Sequence, residues 1–424
     1  MTTSSPVWHP FTQHRTAPPA INVARASGAR LHRADGGTLI DAISSWWVIT
    51  HGHCHPRIVE AVKRQAEELD QVIFAGFTHP PAERLAEELV KLVPAELTRV
   101  FYSDSGSTAV EVALKMALGY WHNLGHQRTR VIVLEHAYHG DTIGTMSAGE
   151  RGVFNAAYAP LLFDVVRLPF PETGREAAVL EELEAQCRTG DVAALVVEPL
   201  VLGAGGMLMW DAATLKEMRR ITKAHDVLLI ADEVMTGWGR TGTVFACDQA
   251  GVTPDIMCIA KGLTGGYLPL AATFATEPIF AAHYSEDRSK TFFHSSSFTA
   301  NPLCCAAALE NVQIWKDEPV RERITQLAEK QSAALARQNA SGLFKNCRQC
   351  GTITAVDIDV PDSGYLAGIG PALQRTFLER GVLLRPLGNT IYVMPPYCIS
   401  DDELSQVYEV LEAGVRSVLA EARA

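Results

Sequence analysis

V-L-L-I-A-D-E-V-M-T-G-W-G-R-T-G, residues 227–242, opens on an apolar run, Val227–Ala231, that ends at a carboxylate, Asp232. A short apolar run bounded by turn residues reads as a strand buried on both faces. A second run, Ile256–Ala260, ends at Lys261 inside I-M-C-I-A-K-G-L-T-G-G-Y, 29 positions after Asp232. A lysine among apolar neighbours loses solvation, which lowers its amine pKa. The neutral amine is then a nucleophile toward carbonyl groups. Taken singly, a strand-end lysine and a loop carboxylate are commonplace; their surroundings carry the rest.

Outward from this pair, strands and helices alternate. Arg99–Ser103, Val131–Glu135, Ala193–Glu198 and Leu270–Ala275 read as further strands, and Thr108–Trp121 and Ala212–His225 as helices. Another amphipathic helix runs over about 57–70, from the spacing of Ile58, Val62, Ala66 and Leu69. The pattern predicts an α/β fold with a mostly parallel central sheet covered on both sides. From about residue 303 it changes to long helices (Cys304–Lys316, Val320–Gln338), short strands (Thr352–Ile358, Val382–Arg385, Thr390–Met394) and a last helix over 401–424. This implies a large domain over 57–302 and a smaller α+β domain over 303–424. The turn-rich segment 1–56, with a strand near Thr38–Ala42, contributes to the small domain and the site.

Ligands of an open α/β sheet bind at the carboxyl ends of its strands. That rule gathers four motifs. S-D-S-G-S-T at 103–108 follows a strand and opens a helix, so the N–H groups of Gly106 and Ser107 form a phosphate seat. H-A-Y-H-G-D at 136–141 offers Tyr138 to stack on a planar ring. V-V-E-P-L places Glu198 at a strand end, and Asp232 suits a pyridinium nitrogen. With Lys261 these are the protein-side parts of a pyridoxal phosphate site. The chain carries neither a G-x-x-x-x-G-K-[ST] phosphate loop nor a dinucleotide-binding G-x-G-x-x-G frame.

Composition excludes other classes. The net charge is −11 without any block of like charge, which disfavours nucleic acid and anionic membranes as partners. No run approaches the roughly 18 apolar residues of a membrane span, and the first residues, M-T-T-S-S-P-V-W-H-P-F, show no secretory pattern. Nine cysteines without regular spacing suit a reduced, cytoplasmic protein. T-H-G-H-C-H-P at 50–56 and the lone C-x-x-C of Cys347 and Cys350 lack a second ligand pair, so no metal is expected.

S-D-S-G-S, Y-H-G-D-T-I-G, E-P-L, L-I-A-D-E-V-M-T-G-W-G-R-T-G and I-A-K-G-L-T-G-G-Y resemble, in order and spacing, the class III aminotransferases of pyridoxal phosphate fold type I. The resemblance spans essentially the whole chain. It implies that Lys261 links to the cofactor, Asp232 contacts its ring nitrogen, Tyr138 stacks on the ring, Gly106 and Ser107 hold the phosphate, and Glu198 lies beside the ring. W-H-P-F-T at 8–12, S-S-W-W at 44–47 and R-P-L-G-N-T-I-Y-V-M-P-P-Y at 385–397 narrow it. They imply S-adenosylmethionine as amino donor and 8-amino-7-oxononanoate as acceptor, with Phe11, Trp46, Trp47, Tyr138, Lys261, Ser295, Arg385 and Tyr397 facing substrate.

Two departures stand out. Phe11 occupies a position where the family usually carries tyrosine, so a hydroxyl is lost and lysine stays open as an alternative donor. H-S-S-S-F at 294–298 replaces the usual H-G-P-T-F. There the resemblance puts Ser296 and Ser297 on the phosphate, reaching the cofactor of a partner subunit in a homodimer. Rival expectations are another class III activity, an aminomutase that needs no external donor, and a non-catalytic pyridoxal phosphate binder.

Overall fold

Seven strands form the central sheet: β1 (Leu97–Ser103), β2 (Arg130–Leu134), β3 (Val166–Leu168), β4 (Val192–Val197), β5 (Leu228–Asp232), β6 (Ile256–Ile259) and β7 (Ala271–Thr276). The structure is a computed structural model and describes residues 5–361 and 367–421. The strand order is β1-β7-β6-β5-β4-β2-β3. Six strands run parallel and β7 is reversed, pairing antiparallel with β6 and β1. The mostly parallel sheet expected above is therefore present. The reversal has a local cause: residues 260–270 hold only the single tight turn Lys261–Thr264, and a parallel return needs a longer crossover.

Burial explains the apolar runs. Every residue of β4, β5 and β6 is buried. Leu228 and Ile230 point into a cluster with the helix Gly106–Asn123, while Leu229 and Ala231 join the larger core on the opposite face. Period-two alternation thus feeds two apolar layers at once, which is why these strands show no polar face. Each fully buried leucine or isoleucine contributes roughly 1.5–3 kcal/mol. The helix Gly106–Asn123 starts two residues before the expected Thr108, because Ser105 and Thr108 close a reciprocal capping box.

A second sheet joins the chain's two ends. Val23–Ser27, Arg30–Arg33 and Thr38–Asp41 pair antiparallel, and Val382–Leu383 adds parallel to Thr38–Asp41. A third sheet comprises Lys345–Cys350, Ile353–Asp357 and Thr390–Val393. Cys347 and Cys350 both lie on its first strand, and Cys350 Sγ faces the Thr241 carbonyl. The final helix is described over Asp401–Glu421; the expected end at 424 lies outside the described residues. Among the described residues no helix is long and apolar enough to cross a membrane.

Candidate active site

The loops after β1, β2, β4, β5 and β6 all open onto one cavity of about 650 Å³, a size suited to a small-molecule site. In the β5–β6 register Asp232 stands opposite Cys258, so Asp232 and Lys261 leave adjacent strands at the same sheet edge. Lys261 sits at φ +35°, a left-handed conformation unusual for a side-chain-bearing residue. Burial lowers its amine pKa, the Arg240 charge adds to that, and Asp232 and Glu198 oppose it. Its Nζ lies 4.9 Å over the Trp47 ring.

Asp232 is 4% exposed. Its Oδ1 accepts from Val234 N at 3.1 Å, and its Oδ2 meets His139 Nδ1 at 2.7 Å. Burial alone depresses the His139 pKa, but the Asp232 bond and charge outweigh it and the net shift is upward. Tyr138 projects into the cavity from the neighbouring position. Its backbone N–H donates to Glu198 Oε1 at 2.9 Å, while Glu198 Oε2 accepts from Gly203 N at 3.0 Å. Burial raises the Glu198 carboxyl to about 7. Burial also raises the Tyr138 phenol, with Asp141 adding to it.

Gly106 and Ser107 are the first two residues of their helix, where N–H groups have no intrahelical partner. Ser107 Oγ accepts from Asp141 N at 3.2 Å, tying this turn to the Tyr138 loop. The approach is close. A Cβ on Gly106 would fall 2.6 Å from Val234 Cγ1, and one on Gly140, at φ +135°, would fall 2.1 Å from Ser107 Oγ. These glycines keep the cradle open on a helix N-terminus, the geometry that seats a phosphate.

The remaining wall comes from the expected aromatic segment. Phe11, Trp46, Trp47 and Arg385 all line the cavity. Arg385 Cζ lies 4.9 Å over the Trp46 ring. Phe11 packs edge-on to Trp46 at 5.5 Å and to Phe154 at 5.9 Å. Trp47 Nε1 donates to the Tyr392 hydroxyl at 2.9 Å. The Ser44–Trp47 turn is strained, with positive φ at Ser44, Ser45 and Trp47, each costing roughly 1–3 kcal/mol. Buried Asp41 offsets this by accepting from Ser45 N at 2.8 Å and Ser45 Oγ at 3.0 Å.

Four expected residues lie elsewhere. Tyr397 is 4% exposed and donates its hydroxyl to the Trp238 carbonyl at 2.6 Å. The chain turns inward after Val393, where Arg240 Nη1 holds the Pro395 carbonyl at 3.0 Å, so Tyr392 rather than Tyr397 reaches the cavity. Ser295, Ser296 and Ser297 do not line this cavity. Ser296 Oγ instead donates to Asp104 Oδ2 at 2.6 Å, just outside the cradle.

Two residues of the quoted motifs gain roles that the motifs alone did not assign. His139 is the direct partner of Asp232. Arg240, 1% exposed, holds the carbonyls of Trp47 at 3.3 Å and Ile49 at 2.8 Å as well as Pro395. Their adjacency to Tyr138 and to the Asp232 run was visible, but their partners come from distant segments.

A flat, anionic cofactor with an aldehyde and a basic ring nitrogen fits these residues. The cradle provides N–H groups, Tyr138 a ring face, Asp232 a carboxylate and Lys261 an amine of lowered pKa.

Comparison with known proteins agrees. Residues 11–415 match the family described as aminotransferase class III. A Synechococcus elongatus protein named adenosylmethionine-8-amino-7-oxononanoate aminotransferase is 50% identical over 96% of this chain and 97% of its own length. A Mycobacterium leprae protein of the same name is 41% identical over 95% of this chain and 93% of its own length. The crystal structure of the Methanocaldococcus jannaschii protein so named superposes with TM-score 0.91 at 33% identity, covering 96% of this chain and 97% of that one. An amine transaminase from an uncultivated Pseudomonas species, solved with PLP bound, gives TM-score 0.92 at 31% identity, covering 99% of this chain and all of that one.

Proposed function

The chain belongs to the class III aminotransferase family, whose cofactor is pyridoxal phosphate, and from that premise we propose its substrates and the roles of its site residues. The donor is S-adenosylmethionine and the acceptor is 8-amino-7-oxononanoate, aminated to 7,8-diaminononanoate in biotin biosynthesis. Names of relatives support this, up to 50% identity over nearly the whole chain. The structural observation that carries it is the wall of Trp46, Trp47, Tyr392 and Arg385: apolar faces for a long chain, with one guanidinium for its carboxylate.

When bound, the cofactor supplies an electron sink and carries the amino group from donor to acceptor. Gly106 and Ser107 hold its phosphate by N–H groups, and Tyr138 packs on its ring. Asp232, fixed by His139 and Val234 N, keeps a proton on the ring nitrogen. Lys261 Nζ, its pKa lowered by burial, would take a proton from the donor α-carbon and deliver it to the cofactor's aldehyde-derived carbon. Glu198 fixes the loop of Tyr138 through its backbone N–H. Trp46 and Trp47 offer ring faces to the donor's sulfonium. Both substrates use the same cavity in turn, so initial rates follow ping-pong kinetics.

The first test is the visible spectrum of the yellow holoenzyme with S-adenosylmethionine alone. Bleaching is expected; a band that persists removes that donor. Lysine is the second reading, favoured by Phe11, whose ring offers no hydroxyl at the cavity mouth. Bleaching by lysine and not by S-adenosylmethionine would establish it.

Arg385→Ala is expected to raise the acceptor KM roughly 10- to 100-fold with kcat changed only a few-fold, as loss of a charge-assisted bond predicts. Steady-state kinetics with the acceptor varied measures this. An unchanged KM removes Arg385 as the carboxylate site.

The same proposal extends to assembly. Exposed Ile73, Phe77, Phe293 and Phe298 flank the contact between Gln71 Nε2 and the Ser297 carbonyl at 2.8 Å. An apolar surface of this kind suits a homodimer interface, across which Ser296 and Ser297 would approach the partner's phosphate, with Ser295 on the substrate side. The same proposal divides the chain after residues 56 and 302. All nine cysteines are free, which suits a cytoplasmic location.

A further inference from the structure

T-H-G-H-C-H-P, set aside above as a metal site, contains a buried histidine with a defined hydrogen-bonding task. His51 is 6% exposed, and its Nε2 lies 2.8 Å from Asn311 Oδ1. Asn311 is fully buried in the helix Pro302–Asp317. Its Nδ2 donates to the Gly262 carbonyl at 3.1 Å and the Leu263 carbonyl at 2.9 Å. Those carbonyls belong to the two residues that follow Lys261.

The hydrogen-bond inventory leaves little freedom. An amide nitrogen has two protons, and both are committed to the Lys261 turn. Asn311 Oδ1 must therefore accept, so His51 carries its proton on Nε2. Among the described residues its Nδ1 is buried without a hydrogen-bond partner, and protonation there would create an unpaired buried N–H⁺.

Burial holds the ring pKa down to about 4. The Asn311 bond and Glu318 oppose that shift, while His55 and Arg323 add to it. The rings of Trp315, Tyr397 and His55 enclose His51 at 6.1, 6.5 and 6.0 Å. One neutral tautomer is thus locked in place.

The turn it supports needs such a clamp. Lys261 is in the left-handed region, as is Gly265 at φ +66°. Gly262 is pressed against Trp238, where an added Cβ would lie 2.8 Å from the Trp238 Cβ. Two carbonyls of a strained turn held by one amide fix its orientation, and with it the direction in which the lysine leaves the backbone.

We propose that His51 is a positioning residue for Lys261, acting through Asn311 to hold the turn that aims the lysine at the reacting atoms. The proposal rests on Lys261 being the cofactor-linked lysine. Aim matters because proton transfer demands hydrogen-bond reach, and small misplacements cost rate more than binding.

The test uses the cofactor-loaded enzyme and the variants His51→Leu, His51→Gln, Asn311→Leu and the double Leu variant. The pH midpoint of the lysine-linked visible band is read together with kcat and KM. His51→Leu and Asn311→Leu are expected to move the midpoint in the same direction by at least about half a pH unit and to lower kcat about tenfold or more with KM within about twofold. The double variant should be no worse than the more affected single variant, because the residues act in series. His51→Gln, which keeps an N–H donor at similar reach, should restore the wild-type midpoint.

Wild-type midpoint and kcat in His51→Leu overturn the proposal, as do additive single effects. If His51→Leu yields no folded holoenzyme, Asn311→Leu and His51→Gln decide together: a wild-type midpoint in the first or a shifted one in the second overturns the proposal, and a shift in the first with none in the second supports it. A wild-type band that survives Lys261→Ala would overturn the assignment of Lys261 itself, which separates that failure from this one.

Discussion

Lys261→Ala is expected to lower kcat by about 10⁴-fold or more while leaving the fold intact, since nucleophile and proton carrier are lost together. Lys261 sits at the cavity edge and keeps partial exposure, so no core void follows. Its Nζ lies 4.9 Å over the Trp47 ring rather than against a structural acid. The thermal midpoint of the apoprotein should therefore stay near wild type. Cofactor should still bind through the cradle, but with a visible spectrum that lacks the lysine-linked band. Turnover within tenfold of wild type would remove Lys261 from its proposed role. Lys261→Arg should be as inactive, because a guanidinium stays protonated and carries no nucleophilic amine.

Asp232→Asn comes next, with kcat expected to fall roughly 10²- to 10³-fold, the scale seen when one preorganised electrostatic contact is removed. The carboxylate is nearly fully buried and is already bonded to His139 and Val234 N, so its charge is aimed rather than mobile. An amide of the same shape keeps the bond to Val234 N and loses the charge. His139 then loses the bond and charge that raise its pKa against burial, so that pKa falls. Stopped-flow measurement of the donor half-reaction separates outcomes: a slowed step at saturating donor supports the ring-nitrogen role, whereas a change confined to donor KM contradicts it.

Much of this was legible in the residues. Val227–Ala231 and Ile256–Ala260 could be read as doubly buried strands because one strand period feeds two apolar layers, and burial on both faces erases polar alternation. The charges that end those runs then pointed to the sheet's carboxyl edge. The exposed strand Val23–Ser27 carries no such signal; its pairing comes from its hairpin with Arg30–Arg33, whose other edge Thr38–Asp41 covers. The helix Glu176–Cys187 does carry a local signal, since Val179, Leu183 and Cys187 repeat at helical spacing.

The sequence by itself determined the strand–helix alternation, the edge where the motifs meet, and the chemical types gathered there, because periodicity and strand-end position are local properties. Only the tertiary structure decided which partners those residues take. The Asp232–His139 bond joins residues 93 positions apart, and Arg240 reaches carbonyls more than 150 positions away on either side. Tyr392 faces the cavity and Tyr397 the core because Arg240 draws Pro395 inward. His51 supports the lysine turn through an asparagine 260 positions downstream. Such pairings are set by how packed layers close around buried donors and acceptors, each of which must find a partner once water is excluded. No local pattern of residues encodes that closure.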